Sequence, residues 1–302
     1  MDFIVDYKYL FAINKDDGMN KKEAKELDKY YTNDSVAEFC YQEFVKFCTK
    51  YKSEPYTIIE PSAGGGAFLN IIQEDKIGFD ILPESDNIIQ MDFINGDIEE
   101  YLPQNDVVFL GNPPFGKKGD LAIQFINKCF EYSTIVGFIL PVQFRKYSAQ
   151  KQLDSRARLL YDIDLEEDSF NIVGESYGIR SSFQIWGIGE FEEENLRIVE
   201  KPKTKLDMFE MYQYNRTEAA MKYFDYDWDF AVHRQGYYDF SEIVRSKDEL
   251  NPKRQYIFFK AHNAEVLENL LNLDFVQLSK KNAGIPGFGK ADVVEEYLRK
   301  YS

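Results

Sequence analysis

Two adjacent prolines, Pro113 and Pro114, fall just after an apolar run, Val107-Val108-Phe109-Leu110. Proline has no N–H to give to a β-ladder, so a strand built on that run must stop at Asn112. The run is continuous, not alternating, which is how a strand covered on both faces of a parallel sheet reads. Further apolar runs at residues 56–60, 76–81, 88–91 and 135–141 are separated by turn-rich or amphipathic segments. That alternation predicts an α/β fold with a parallel sheet and right-handed crossovers. In such sheets ligands bind outside the carboxyl ends of the strands. Residues 111–116 are placed at one of those ends.

The chemistry available there is narrow. The Asn112 side-chain oxygen and the Pro113 carbonyl are both acceptors, held on a stiff backbone. Together they match the two hydrogens of an exocyclic amine, and Phe115 offers a face for stacking on a flat ring. A planar base with an amino group fits this set; a plain proline-stiffened turn is the alternative for the tetrapeptide taken alone. Upstream, the run ending at Glu60 leads into Pro61-Ser62-Ala63-Gly64-Gly65-Gly66, and residues 67–72 predict a short helix. Strand, glycine turn and helix make the opening of a dinucleotide fold, with Gly64 and Gly66 permitting close backbone approach. A Walker lysine is absent, which argues against ATP or GTP. Asp80 ends the next strand at the spacing of a carboxylate that takes ribose hydroxyls. The third strand ends at Asp92-Phe93. Four successive strand ends therefore carry Glu60, Asp80, Asp92 and Asn112.

Asn-Pro-Pro-Phe at residues 112–115 resembles the catalytic tetrapeptide of the S-adenosyl-L-methionine (AdoMet)-dependent amino-methyltransferases, the adenine-N6 enzymes in particular. Glu-Pro-Ser-Ala-Gly-x-Gly at residues 60–66 resembles their cofactor loop and departs from the G-x-G-x-x-G of NAD enzymes. Tyr-Tyr-Thr at residues 30–32 resembles the segment upstream of that loop, with Asn33 where those families usually have proline. The resemblance covers residues 30–186, and the motif order is similar to the gamma-type DNA enzymes. It implies a Rossmann-like methyltransferase fold: a mostly parallel seven-stranded sheet with a C-terminal antiparallel hairpin, plus a small C-terminal α+β region. It implies AdoMet as cofactor, S-adenosyl-L-homocysteine as product, and no metal. The implied cofactor residues are Tyr31, Thr32, Glu60, Ser62, Gly64, Gly66, Asp80, Ile81, Asp92, Phe93 and Asn112. Glu60 is expected near the methionine amino group, Asp92 on the adenine amino group, and the Phe93 backbone on a ring nitrogen. Asn112, Pro113 and Phe115 are the expected catalytic set. Pro114, Lys117, Arg180 and Phe183 are expected to touch the substrate. Lys280, Lys281 and Lys290, in a Gly-rich basic loop, are expected to meet phosphates. A hairpin core around Phe183 and a flexible surface loop around Lys280 stand as the competing readings.

The expected organisation is an N-terminal arm (1–29), a methyltransferase domain (30–199) and a substrate or target-recognition region (200–302), with Lys201-Pro202-Lys203-Thr204-Lys205 at the boundary. The net charge of −16 argues against tight nonspecific binding to nucleic acid. The acidic excess falls on residues 1–199, and the last third is close to neutral. Cys40, Cys48 and Cys129 read as reduced buried thiols, and two histidines are too few for a His-rich metal site. No apolar run has the length of a membrane span and the N-terminus does not read as a signal peptide, so the expectation is a soluble, cytoplasmic protein. The expected reaction is methyl transfer to the N6 amino group of adenine in DNA. RNA adenine, a protein glutamine or small-molecule amine, and a noncatalytic subunit are the alternatives, and a protein partner for recognition is left open.

Overall fold

The computed structural model describes residues 31–302 apart from positions 54, 167–168, 173–174 and 177–178. The expected N-terminal arm lies outside the described residues. A small antiparallel sheet joins β1 (Tyr31–Thr32) to β8 (Phe170–Ile172) and β9 (Glu175–Ser176). The main sheet takes β2 (Tyr56–Glu60), β3 (Asp75–Asp80), β4 (Ile89–Gln90), β5 (Asp106–Gly111), β6 (Ile135–Pro141), β7 (Arg158–Asp164) and β10 (Ser181–Gly187). Its seven strands run in the order β4-β3-β2-β5-β6-β10-β7. Neighbours from β4 to β6 pair in parallel; β10 runs antiparallel to both β6 and β7. This is the Rossmann-like arrangement expected from the sequence, with the late strand inserted as an antiparallel hairpin.

Successive strand residues point to opposite faces, and each face carries its own core. Ile59, Phe109 and Phe138 join the cluster under α2 (Asp120–Cys129), with Ile126 and Cys129. Ile58, Val108, Leu110 and Ile139 join the cluster under α1 (Asp34–Tyr51), with Cys40, Phe44 and Cys48. The α1 layer lies so close to the sheet that a Cβ on Gly137 of β6 would stand 2.4 Å from the Phe44 ring. All three cysteines are buried and free.

Beyond the main sheet, β11 (Phe209–Tyr214), β12 (Phe230–Gln235), β13 (Ile243–Val244) and β14 (Gln255–Ala261) form a four-stranded antiparallel sheet in the order β11-β14-β12-β13. After the short helix α3 (Tyr147–Gln150), which lies between β6 and β7, helices α4 (Ala264–Leu271), α5 (Phe275–Ser279) and α6 (Lys290–Tyr301) supply Leu270, Phe275, Val293 and Val294 to the core on one face of the four-stranded sheet. Phe230 and Phe259 stack there at 4.7 Å between centroids. Among the described residues no helix is long and apolar enough to cross a membrane.

One local expectation changes. The helix expected at residues 67–72 is a series of turns, with Asn70 N bonding back to Gly66 O at 2.9 Å and Ile72 N to Phe68 O at 3.1 Å. The lysine of β3 explains how those turns end: Lys76 Nζ donates to the carbonyls of Leu69 and Ile72, at 2.7 and 2.8 Å. Asp162 and Asp164 belong to edge strand β7, where Arg145 forks onto Asp162 and reaches Asp164.

Because the Phe44 ring is fixed in a packed core, Gly137→Ala is an overpacking change. It is expected to lower stability by about 1–3 kcal/mol, read as a lower denaturant midpoint with an unchanged slope.

Candidate active site at the carboxyl edge of the sheet

Strands β3, β2 and β5 are neighbours and parallel, so their carboxyl ends bring Asp80, Glu60 and Asn112 to one edge. Asn112 is where distant segments meet. Its Nδ2 donates to Thr32 Oγ1 at 3.2 Å, across 80 residues of sequence. Its backbone carbonyl accepts from Ser62 Oγ at 3.2 Å. The bond to Thr32 fixes the orientation of the amide and so the end at which its oxygen sits. Gly111, one residue earlier, runs against Glu60: a Cβ there would be 3.3 Å from Glu60 Cγ.

The glycine loop lies beside this group. Gly64 and Gly66 have φ of 52° and 83°, a conformation that disfavours side chains. A Cβ on Gly64 would meet nothing within 4 Å, so the backbone there borders open space. Asp80 braces the loop, accepting from Gly64 N at 2.7 Å and from Leu82 N at 2.8 Å. Tyr31 stands alongside; its ring would be 3.9 Å from a Cβ on Gly65, and its hydroxyl donates to Glu84 Oε1 at 2.5 Å. Burial, then the hydrogen bond to Glu84, holds the Tyr31 phenol protonated well above its usual range. Ile81 is half-buried, and its carbonyl accepts from Gln90 Nε2 at 3.2 Å. Glu84 was not foreseen; nothing in the sequence links it to Tyr31 across 53 residues.

Glu60 is only 2% exposed, and Leu69 N donates to its Oε2 at 3.1 Å. Burial raises its pKa well above the carboxylate range; the Leu69 amide offsets this in part, and the charge of Asp80 adds to it. No Lys or Arg among the described residues pairs with it. A buried carboxyl at the mouth of a glycine loop suits a cationic ligand group, whose charge would favour its ionised form. Open space beside Gly64, an aromatic ring, and carboxyl groups at two strand ends together fit a nucleoside with a positively charged tail.

Asp92 and Phe93 follow β4. The Asp92 carboxylate accepts from the amides of Ile94 and Asn95, at 3.1 and 3.2 Å, and from Asn95 Nδ2 at 2.8 Å. The Phe93 ring is a core pillar, stacked on Phe125 at 5.4 Å.

Several expected substrate residues lie elsewhere than the sequence implied. Phe115 is 5% exposed, not an open platform; it joins the α1-side cluster with Phe44, Phe68 and Leu110. The cause is the turn that follows: Gly116 has φ of 70°, and a Cβ there would be 2.3 Å from Asp120 Oδ1, so the chain folds tightly into α2. Phe183 is fully buried at the centre of β10, which is the hairpin-core reading. Arg180 does not face a base pocket alone. Its Nε donates to Asn282 O at 2.9 Å and its Nη2 to Gly284 O at 3.2 Å, which clasps loop 282–284 to the sheet edge. Lys281 pairs with Glu295 at 2.7 Å. Lys290 is half-buried and donates to Met211 O at 2.5 Å; burial, and then nearby Lys205, lower its pKa. Lys117 and Lys280 are exposed, Pro114 is half-exposed and Pro113 is buried. No group of three or more His, Cys, Asp or Glu among the described residues could hold a metal ion.

No family model matches the chain, and neither does any curated protein sequence. Solved structures do. The type IIL restriction-modification enzyme MmeI, in a complex with DNA, matches with a TM-score of 0.53 at 9% identity, covering 90% of this chain and 67% of that one. A span of that size takes in residues of the four-stranded unit as well as the main sheet. A modification subunit assigned to a type I restriction enzyme of Vibrio vulnificus YJ016 matches at 14% identity with a TM-score of 0.39, covering 60% of this chain. This chain spans about half, 52%, of that subunit. The 23S rRNA methyltransferase ErmE matches at 14% identity with a TM-score of 0.35, covering 53% of this chain and 69% of its own. The likeness to MmeI establishes a shared fold.

The Glu60 carboxyl carries a sign that can be checked. With its folded-state pKa raised, its contribution to stability is fully present below the ordinary value of 4.5 and is lost as pH rises toward the folded value. Glu60→Gln keeps an acceptor for Leu69 N and removes the titration. Chemical denaturation across pH is expected to show the wild-type decline flattened in this variant.

Proposed function

We propose that the protein transfers a methyl group from AdoMet to the N6 amino group of adenine in DNA. One observation carries this reading: Asn112, at the carboxyl end of β5, is held by Thr32 and Ser62 beside the glycine loop and Glu60. The proposed cofactor site runs along Tyr31, Thr32, Glu60, Ser62, Gly64, Gly66, Asp80, Ile81, Asp92 and Phe93. AdoMet, when bound, supplies a methyl group already activated on a sulfonium. The residues of this chain need only bind, orient and polarise.

In this reading Glu60 holds the cationic end of the cofactor and Asp80 keeps the loop shaped around it. The Asn112 side-chain oxygen and the Pro113 carbonyl accept the two hydrogens of the target amine. That localises the nitrogen lone pair toward the methyl carbon. Phe115 supplies a stacking surface after the 113–116 segment rearranges to admit a base taken out of its strand. Residues 30–199 serve as the catalytic domain and residues 200–302 as the target-recognition region. The reach of the MmeI likeness over 90% of the chain, into the four-stranded unit, favours DNA as the substrate.

The test is transfer of labelled methyl from AdoMet to matched pools of duplex DNA, single-stranded DNA and RNA, followed by nucleoside analysis. Label in N6-methyladenine from a DNA pool is the expected result. Label only in the RNA pool would replace DNA with RNA, and label at another atom would remove the adenine-N6 assignment. Asn112→Ala is expected to keep AdoMet affinity within about threefold while lowering turnover by at least about a hundredfold, the scale of losing one transition-state hydrogen-bonding group.

A further inference from the structure

A cleft of about 660 Å³ lies between the main sheet and the C-terminal helices, walled by residues from both units. On the sheet side are the segment after β6, the end of β7 and the start of β10; α5 and α6 close the other side. None of residues 111–116 lines it, so it is separate from the proposed catalytic set. Its volume is within the roughly 300–1,000 Å³ range of small-ligand sites.

Six cationic side chains face three carboxylates in this cleft. Arg145 is committed to Asp162 and Asp164, and Lys281 to Glu295. Lys146 lies 2.8 Å from Asn282 Oδ1 and 3.6 Å from Asp292. Among the described residues the other three cations have no carboxylate partner. Arg180 spends Nε and Nη2 on backbone carbonyls. Lys201 and Lys280 have no side-chain hydrogen bond or ion pair among the described residues. In a chain of net charge −16, such a local positive excess is not a product of composition.

A second observation is independent of charge. Ser181, also in the cleft wall, is 1% exposed, and its Oγ has no hydrogen-bond partner among the described residues. A buried hydroxyl without a partner is desolvated with nothing in return. A ligand oxygen at that point removes the cost. Three uncompensated cations and a dry hydroxyl donor suit an anion with several oxygens.

We propose that this cleft is a phosphate-binding site in which Arg180, Lys201 and Lys280 supply the charge and Ser181 donates a hydrogen bond. The phosphate comes either from a free nucleotide or from the backbone of a nucleic-acid strand.

The experiment uses the full chain and three probes: inorganic pyrophosphate and AMP by titration calorimetry, and a short fluorescein-labelled single-stranded oligonucleotide by anisotropy. The variants are Lys201→Ala/Lys280→Ala, which removes exposed side chains, and Ser181→Ala, with the denaturant midpoint of each variant as the check on folding. Pyrophosphate is expected to bind the wild type and to bind the double variant about tenfold more weakly or worse, with a smaller loss in Ser181→Ala. Displacement of the oligonucleotide by pyrophosphate identifies the strand backbone as the source. Binding of pyrophosphate and AMP without displacement identifies a free nucleotide. Failure of the wild type to bind pyrophosphate, or equal affinity in wild type and double variant, overturns the site. Methyl transfer enters none of these readouts, so the outcome stands whatever reaction the protein catalyses.

Discussion

Strands β2, β6 and β10 are buried along their whole length, and β5 is buried in all but its first residue. With both faces covered, an unpaired charge in mid-strand would be desolvated with nothing to offset it. Polar side chains in mid-strand accordingly sit in hydrogen-bonded sets. Thr57 bonds to Asn105 at 3.1 Å. In β10, Trp186 Nε1 donates to Gln184 Oε1 at 3.0 Å and Gln184 Nε2 to Ser182 Oγ at 3.2 Å. Groups that must meet a ligand have the strand ends left to them. Glu60, Asp80 and Asn112 stand together because β2, β3 and β5 are adjacent and parallel, and because each run of apolar residues is exhausted at the same edge.

Glu60 and Asp80 show how one edge can give two carboxylates different work. Asp80 accepts two backbone amides and shapes the loop that presents Gly64. Glu60 accepts one and is almost wholly shielded from water. The first is a structural brace; the second is poorly compensated until a cation arrives. A site with this asymmetry binds a positively charged group by relieving its own cost, which couples affinity to the state of one carboxyl group.

What the sequence revealed follows the same division. Strands β2 to β6 were legible as apolar runs, and proline fixed the end of β5 independently of any neighbour. Gly64 and Gly66 were legible because positive φ is a local requirement. The contacts that decide side-chain direction were not. Phe115 and Phe183 look alike in sequence to exposed stacking residues, yet their burial is set by α1 and by the pairing of β10 with β6 and β7. Arg180 reads as a substrate contact until loop 282–284 is placed 102 residues away in sequence. The turns at residues 67–72 satisfy a helical pattern locally, but the Lys76 ammonium competes for their carbonyls. For Phe115, Phe183 and Arg180 a partner distant in sequence decided between readings that local chemistry left equal.

The seam between the two sheets obeys a different physics from either core. Among the described residues, contact across the seam includes polar bonds: Arg180 N to Ala283 O at 3.2 Å, the Arg180 guanidinium to the Asn282 and Gly284 carbonyls, and Lys146 to Asn282 at 2.8 Å. Directional bonds of this kind fix an angle but resist displacement less than a continuous apolar core. The residues that make them also line the cleft. An anion held by Arg180 from the sheet side and Lys280 from the helical side would tie both units to one ligand. Occupancy of the cleft would then act on the same contacts that hold the C-terminal unit, because the same guanidinium takes part in both.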